Sequence, residues 1–267
     1  MTEIISNPYI QASLLGIIQG LTEFLPVSST GHLILFGEVL HFVQPVSKTF
    51  DVVIQFGSIL AVCVVYFQRF AGMTVGLTRD PSARHFALVI LIAFLPAMVV
   101  GGLFHGYIKS HLFTPVVVSI ALILGGVVLL VIERFVPCTV HEGIERMPYR
   151  IALGIGLFQC LALVPGTSRS GATIIGALLM KVERRVAVEF SFFLAVPTMI
   201  AATTYELYKA RGDLTMDGGL LIAIGFVLAF LSSLVVVRTL IAFVSRFGFS
   251  AFGWYRIILG SLMLVYL

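Results

Sequence analysis

Charged side chains are scarce in this sequence: Asp, Glu, Lys and Arg make up 11% of its 267 residues, whereas 59% are hydrophobic. A soluble domain of this length needs far more charge to cover its surface, so that class is excluded. The alternation of polar and apolar residues that marks the strands of a membrane barrel is also missing. Backbone inside a bilayer must satisfy its own hydrogen bonds. The sequence therefore predicts an all-α, polytopic integral membrane protein.

Cysteine is rare as well, and Cys63, Cys138 and Cys160 share no CxxC spacing that would hold a metal. The net charge of +4 raises the question of nucleic-acid binding. The basic residues, however, are scattered singly through short loops and form no patch interleaved with aromatic residues. No nucleic-acid partner is therefore expected.

Long uncharged runs are what the sequence has instead. A helix needs about 20 apolar residues to cross roughly 30 Å of hydrocarbon, and residues 86–104, 112–132 and 218–237 contain no charge at all. Together with shorter runs extended by their flanks, these predict six transmembrane helices, at about 50–68, 86–106, 113–132, 186–207, 218–238 and 250–267.

Two further apolar regions, residues 9–43 and 151–180, are interrupted by polar stretches at 26–32 and 165–171. Each half is too short to cross the membrane comfortably, while the Pro, Gly and hydroxyl residues at the breaks suit a turn. Irregular backbone at that depth survives only where it is buried in protein or lines a cavity. We therefore expect two re-entrant helix-loop-helix hairpins.

The two interrupted regions also resemble each other, since Gln19 falls on Gln159 and, with one residue gapped, Pro26 falls on Pro165. Each region precedes three predicted spans, which indicates a single membrane domain over residues 1–267 built as an inverted repeat. The repeats would cover about 1–137 and 147–267. Interrupted segments at corresponding positions of two halves point to a binding site at the membrane midplane. Chance similarity between two Gly-rich helices is the alternative.

The distribution of Lys and Arg gives this topology an orientation. Most of them fall on one side, which the positive-inside rule makes cytoplasmic. The other side holds Lys48, Lys109, Lys209 and Arg211. Both termini are then outside, and the first hairpin enters from the outer face while the second enters from the cytoplasmic face. The tips of the two hairpins can meet.

An amide and a carboxylate stand just ahead of the first loop. Gln19 and Glu23 lie four residues apart, so on a helix they share one face. A carboxylate inside a bilayer costs at least ~2.5 kcal/mol on insertion scales and needs a partner. Amide and carboxylate oxygens suit a hard divalent cation, Mg²⁺ or Ca²⁺, that could in turn hold phosphate oxygens. The alternative is a structural role, with Glu23 protonated or paired with a nearby cation.

The first loop itself contains three hydroxyl residues, Ser28, Ser29 and Thr30, followed by His32. Hydroxyls and backbone N–H groups ahead of a helix starting near residue 31 are suited to bind phosphate. His32 would lie in the first turn of that helix, where neutral imidazole is favoured, as a general base or a nucleophile toward phosphorus requires. An ordinary N-cap with a hydrogen-bonded histidine is the alternative.

The second loop is the sharper signal, because small residues, hydroxyls and one arginine stand directly before an apolar helix at 172–180. Arg169 offers a planar fork that matches phosphate and stays charged when desolvated. Since every group here donates hydrogen bonds, the missing partner is an anion. The expected phosphate-binding residues are Gly166, Thr167, Ser168, Arg169, Ser170 and Thr173. Alternatively, Arg169 only neutralises Glu23 across the hairpins.

These residues make the chain similar to the undecaprenyl-diphosphatase family of bacterial bacitracin-resistance proteins. The resemblance extends nearly end to end and is carried by Gln19, Glu23, the run from Pro26 to His32 and the run from Pro165 to Thr173. It implies inverted repeats with two re-entrant hairpins and a divalent cation. The implied reaction is hydrolysis of undecaprenyl diphosphate to the monophosphate, which recycles the lipid carrier for peptidoglycan synthesis.

Position by position, the resemblance implies that Glu23 handles the metal and the proton, with His32 and Ser28 as candidates for nucleophile or base. The implied phosphate clamp is Arg169 with Ser168, Ser170 and Thr173. Gln19 stands where some members have a second carboxylate. That departure weakens Gln19 as a metal ligand and leaves more of the role to Glu23.

The expected partners are a polyprenyl diphosphate and the bilayer, in the bacterial cytoplasmic membrane, with a homodimer left open. Transport is the rival class, because inverted repeats with broken helices are also a transporter plan. A flippase would bind the same headgroup and release no phosphate. A type-2 phosphatidic acid phosphatase is a weaker third reading, because that signature's later His and Asp are missing at the required spacing.

Overall fold

The computed structural model describes residues 7–42, 47–135, 140–141, 143–210 and 218–266, so Cys138 and Arg211 lie outside it. The described chain is helical, with two short 3-10 turns and one isolated bridge between His141 and Val182. The α-helices are α1 (Pro8–Thr22), α2 (Ser29–Val39), α3 (Ser47–Val65), α4 (Phe67–Gly76), α5 (Pro81–His111), α6 (Pro115–Phe135), α7 (Tyr149–Gln159), α8 (Arg169–Leu179), α9 (Arg184–Ala210), α10 (Gly219–Phe247) and α11 (Ser250–Tyr266).

Helix length and composition confirm an all-α polytopic membrane protein. The helices long and apolar enough to cross a bilayer are Pro81–Phe104, Pro115–Phe135, Arg184–Lys209 and Gly219–Phe247. The predicted span 50–68 is part of a bent pair, Thr49–Val65 and Phe67–Gly76, whose axes differ by 73°. The predicted span 250–267 corresponds to α11, a shorter apolar helix of 17 residues. The count of six spans and the re-entrant course of the hairpins stay predictions.

Each interrupted region forms the expected helix-loop-helix, and each packs on a long helix from the other half of the chain. Helix α1 packs on α10, whereas α7 packs on α5. Glycines make both approaches possible: a Cβ on Gly16 would lie 2.4 Å from the carbonyl oxygen of Gly225, and a Cβ on Gly156 would lie 2.4 Å from that of Ala93. The halves are thus interlocked, while the repeat boundaries remain predictions.

An aromatic core lies directly behind the first loop. The ring of Phe24 meets that of Phe192 edge-on at 5.4 Å, and Phe193 extends the cluster toward Phe86, with ring centroids 5.0 Å apart. This rigid apolar layer fixes the backbone next to Glu23, and rigid supports of this kind hold functional groups in place.

Candidate functional site

The two loops share one backbone frame. Ser28 and Ser168 are the N-caps of α2 and α8, and both adopt a positive φ, of 70° and 72°. Each serine hydroxyl accepts a hydrogen bond from the amide three residues later, Gly31 N at 3.3 Å and Gly171 N at 3.1 Å. Positive φ is costly for serine, and such strain persists only where the surroundings fix it.

This frame also corrects the sequence alignment of the two loops. Counting back from the capping serines Ser28 and Ser168, the equivalent of Pro26 is Gly166 and not Pro165, so no residue is gapped. Gln19 and Gln159 stay equivalent, because each lies at the same separation before its serine.

Two helices, α2 and α8, therefore begin at the loops. The first amide groups of a helix have no acceptor within the helix, and the helix dipole places partial positive charge there. Ser170 joins the loops, since its hydroxyl donates to the carbonyl oxygen of Leu25 at 2.7 Å and lies 3.0 Å from the Ser168 hydroxyl. The two helix starts consequently face one shared region, which is suited to an anion.

Glu23 is buried where the loops meet and accepts three hydrogen bonds. Its Oε2 atom accepts from Gln19 Nε2 at 2.8 Å and from the Ser29 hydroxyl at 2.6 Å. Its Oε1 atom accepts from Arg169 Nη2 at 3.2 Å, which forms an ion pair between the two hairpins. The structure thus brings the predicted acid and the predicted guanidinium into direct contact.

Arg169 is held by more than this carboxylate. Its Nη1 atom donates to the carbonyl oxygen of Ser191 on α9 at 2.9 Å, and the Ser191 hydroxyl accepts from Thr173 at 2.9 Å. The guanidinium carbon lies 5.7 Å from the centre of the Phe24 ring. Arg169 Nε is buried and finds no hydrogen-bond partner among the described residues. The side chain is therefore oriented from two sides with one donor left over, as a phosphate-binding arginine requires.

His32 occupies the first turn of α2, as expected. Its Nδ1 atom lies 2.8 Å from the carbonyl oxygen of Ser28, and its Nε2 atom lies 2.6 Å from the hydroxyl of Tyr255 on α11. A carbonyl oxygen can only accept, so Nδ1 carries a proton and donates to Ser28, while Nε2 shares a hydrogen bond with the hydroxyl of Tyr255. His32 is thus bonded to the Ser28 carbonyl and not to its hydroxyl.

The remaining predicted residues take different positions. Gly166 adopts a φ of 91°, and Thr30 and Thr167 are partly buried beside the capping serines. The hydroxyls of Ser28 and Ser168 are used as N-cap acceptors. They shape the loops, whereas Ser29 carries the hydroxyl that reaches the carboxylate.

Sequence reasoning missed Ser191, Tyr255 and Arg256. Arg256 is fully buried and donates to backbone carbonyls of both loops, Pro26 and Gly166, each at 3.0 Å. An arginine inside a membrane segment is a functional candidate by default, and that signal was present in the sequence. Tyr255 and Ser191 carried no such signal.

The oxygens beside Glu23 fit a divalent cation. Gln19 is fully buried, and its Oε1 atom has no hydrogen-bond partner among the described residues. The Nε2 atom of Gln19 donates to Glu23, and the unpartnered Oε1 atom and the carboxylate are oxygen donors of the kind that hard cations prefer. Within the described ranges no three His, Cys, Asp or Glu side chains cluster as a metal site, so a ligand's own oxygens would have to complete the coordination.

Comparison with known proteins places the chain among close relatives. A family model described as Bacitracin resistance protein BacA matches residues 12–262. The chain is 54% identical over 256 residues to Undecaprenyl-diphosphatase 2 of Paramagnetospirillum magneticum, covering 96% of this chain and 98% of the relative. It is 56% identical over 255 residues to the Undecaprenyl-diphosphatase of Sphingopyxis alaskensis, covering 95% and 96%. With Undecaprenyl-diphosphatase 1 of Agrobacterium fabrum it shares 53% identity over 257 residues, 96% of each chain.

Proposed function

This chain belongs to the bacitracin resistance protein BacA family, and from that premise we propose that it hydrolyses undecaprenyl diphosphate to undecaprenyl phosphate and inorganic phosphate. The chain is an enzyme, a phosphoric anhydride hydrolase of the membrane. The reaction returns the lipid carrier to peptidoglycan synthesis and removes the diphosphate form, which accounts for the family's link to bacitracin resistance.

One observation carries this proposal: the ion pair between Glu23 and Arg169, 3.2 Å long, at the point where two helix starts converge. A carboxylate can accept a proton or ligate a cation, while a guanidinium and the amides at a helix start bind phosphate oxygens. Acid, cation and amide donors within one buried site are the components that phosphoryl transfer needs.

The geometry favours Ser29 as the nucleophile. Its hydroxyl donates to Glu23 at 2.6 Å, which is the reach expected of a nucleophile and its base. As Ser29 Oγ bonds to the terminal phosphorus, its proton passes to Glu23. The bond from that phosphorus to the bridging oxygen breaks, and undecaprenyl phosphate leaves with the electron pair. Glu23 gives the proton from Ser29 to the departing undecaprenyl phosphate and is ionised again. Water then attacks the phosphoserine and passes a proton to Glu23, which gives it to Ser29 Oγ as the bond from phosphorus to that oxygen breaks and phosphate leaves.

Ser28 and His32 take supporting roles in this scheme. The Ser28 hydroxyl accepts from the Gly31 amide at the helix start, and its carbonyl accepts from His32. His32 Nε2 is occupied by Tyr255, so it is poorly placed to attack phosphorus. His32 instead orients the loop that presents Ser29.

The second loop stabilises the charge that develops on the phosphoryl oxygens. Arg169 has a free Nε donor, and it is the first residue of α8, where backbone amides lack acceptors within the helix. Thr173 and Ser191 hold the guanidinium in place. Donors fixed before the substrate arrives need no reorganisation during reaction, which is why such groups accelerate phosphoryl transfer.

A divalent cation, Mg²⁺ or Ca²⁺, would be held by Glu23, by Gln19 Oε1 and by the diphosphate. When bound it neutralises charge on the phosphate oxygens as a Lewis acid. A bound cation would also give the buried Gln19 Oε1 atom a partner, which it otherwise lacks among the described residues.

We place the protein in the bacterial cytoplasmic membrane, with both termini outside and the prenyl tail along apolar helix surfaces. The positive-inside distribution of Lys and Arg supports this orientation. The homodimer stays a prediction.

The deciding experiment measures phosphate release from undecaprenyl diphosphate by the purified protein in detergent. We expect Mg²⁺- or Ca²⁺-dependent release by the wild type and none above background by Arg169→Ala. A wild-type protein that binds the lipid but releases no phosphate would favour the transport reading and overturn the hydrolase. A fully active Arg169→Ala variant would show that Arg169 does not bind the phosphate as proposed.

A further inference from the structure

Arg256 on α11 is a buried cation without a carboxylate partner. Its side chain is 0% exposed, and no ion pair within the described ranges includes it. All its hydrogen bonds go to backbone carbonyl oxygens: Leu122 at 3.3 Å, Ala121 at 3.1 Å, Pro26 at 3.0 Å and Gly166 at 3.0 Å. A buried guanidinium is costly to desolvate, so four backbone acceptors gathered around one side chain indicate a specific task.

Two of these four acceptors are equivalent positions of the two loops. Pro26 and Gly166 each stand two residues before the capping serine, and each accepts at the same distance of 3.0 Å. One rigid fork therefore fixes both loops at the point where the chain turns into α2 and α8. The other two acceptors, on α6, anchor the fork to a membrane-spanning helix.

Small residues around Arg256 leave the room that this contact needs. A Cβ on Gly125 would lie 2.1 Å from Nη2, and a Cβ on Gly171 would lie 2.9 Å from Nη1. Glycine at position 125 thus lets the guanidinium lie flat against α6. An alanine there would push the fork away from the loops and leave its charge in place.

Charge also matters at this position. Glu23 and Arg169 neutralise each other, so Arg256 leaves the site with net positive charge. Backbone carbonyls carry only partial charge and cannot cancel a full one. The site is thus kept electropositive before the diphosphate arrives, although Arg256 itself is enclosed by backbone.

We propose that Arg256 is a positioning residue that ties the two loops together, so that the carboxylate and hydroxyl of the first loop meet the guanidinium of the second. The kinetic consequence of this inference rests on the proposed hydrolase function, whereas the contact of Arg256 with both loops does not depend on that function. Small misplacements of catalytic groups cost about 10²-fold in rate. The expected signature of a lost tie is therefore a fall in kcat, with KM unchanged in a variant that keeps the charge.

The first test needs no activity. Hydrogen–deuterium exchange of Arg256→Met in detergent should be faster than wild type in peptides covering residues 24–33 and also in those covering 164–173. The control is Arg246→Met, which removes an exposed arginine at the end of α10 and should leave both loops unchanged. Unchanged exchange in both loops, or a change in only one, would overturn the tie whether or not the protein is a phosphatase.

The second test separates position from charge. We expect kcat for phosphate release to fall about 100-fold in Arg256→Met and about tenfold in Gly125→Ala. Gly125→Ala keeps the charge and should leave KM within about threefold of wild type, whereas Arg256→Met also removes the charge and should raise KM. Gly102→Ala is the matched control, because a Cβ there meets nothing within 4 Å. A loss confined to KM, or full activity in a folded Gly125→Ala protein, would overturn the proposal. If Arg256→Met fails to fold, the Gly125→Ala variant still tests the positioning role. The wild-type rate in the same assay tests the hydrolase function separately.

Discussion

The two loops have one backbone shape and two chemistries. Both are capped by a serine at positive φ, Ser28 or Ser168, that accepts from an amide three residues on. After the capping serine, the first loop continues with Ser29 where the second has Arg169. Before it, the first loop has Glu23 where the second has Leu163.

In the proposed mechanism, the first loop holds the groups that move a proton and the second loop holds the groups that bind negative charge. Neither loop alone contains both, so catalysis depends on their meeting at the ion pair of Glu23 and Arg169. Single changes on either loop should therefore have effects far larger than matched changes to the shared frame.

The largest effect is expected at this ion pair. Glu23→Gln and Arg169→Met should each lower kcat by about 10³-fold, since general acid–base catalysis and fixed charge donors each contribute on that scale. Because the two groups act together, the double variant should lose little more than either single one. Initial rates of phosphate release check this, with exposed Glu38→Gln as the control. A double variant showing the product of both losses would mean that the loops act independently.

The next effect distinguishes the two adjacent serines. Ser29→Ala should lose about 10²-fold or more in kcat, because its hydroxyl meets Glu23. Ser28→Ala should lose at most about fivefold, since that hydroxyl only caps α2. Rapid-quench detection of phosphoserine in the wild type, and its loss in Ser29→Ala alone, provides the measurement. Equal losses at both positions contradict the assignment.

A third comparison uses the two equivalent glutamines. Gln19→Met should raise the Mg²⁺ concentration for half-maximal activity by about tenfold, because it removes the unpartnered Oε1 atom of the side chain whose Nε2 donates to Glu23. Gln159→Met removes the equivalent amide from a loop without the carboxylate and should leave this concentration unchanged. Titration of activity with Mg²⁺ tests both. A shift in the Gln159 variant would place the cation elsewhere.

The smallest effect should be the same in both loops. Ser28→Ala and Ser168→Ala should each lower the unfolding free energy by about 1 kcal/mol, since both lose an N-cap acceptor. Glycine at either position loses the same acceptor but accepts positive φ more readily, so Ser→Gly should cost less than Ser→Ala. Thermal melts in detergent check this ranking, and unequal losses would show that the shared frame is not equally strained.

Sequence reasoning reached the parts of this site that depend on local spacing. Gln19 and Glu23 lie four residues apart and do bond along one helix face, and the meeting of Glu23 with Arg169 follows from two hairpin tips that converge. Sequence analysis named Ser28 as a candidate nucleophile or base and Ser29 only as a phosphate-binding residue, whereas Ser29 makes the contact with Glu23. Which of the two serines makes that contact depends on which residue caps α2, and a shift by one position rotates a side chain by about 100°.

Contacts across the fold were out of reach for the same physical reason. Tyr255 contacts His32 and Arg256 contacts Pro26 across more than two hundred positions of the chain, and no periodicity encodes such pairs. The bend of 73° between α3 and α4 likewise has no proline or glycine at Val65, Tyr66 or Phe67 to announce it.

The interlocked helices set the order in which the protein can be assembled. Residues 8–39 leave the ribosome long before Gly219–Phe247, the helix on which the first hairpin is seated. Until that helix is made, Gln19 and Glu23 lack the helix that buries them, and an unburied carboxylate is costly inside a bilayer. We expect a fragment ending at residue 137 to be unstable in membranes and to be rescued by co-expression of residues 147–267, measured as recovered phosphatase activity. Stable insertion of the short fragment alone would show that the first hairpin does not depend on its late partner.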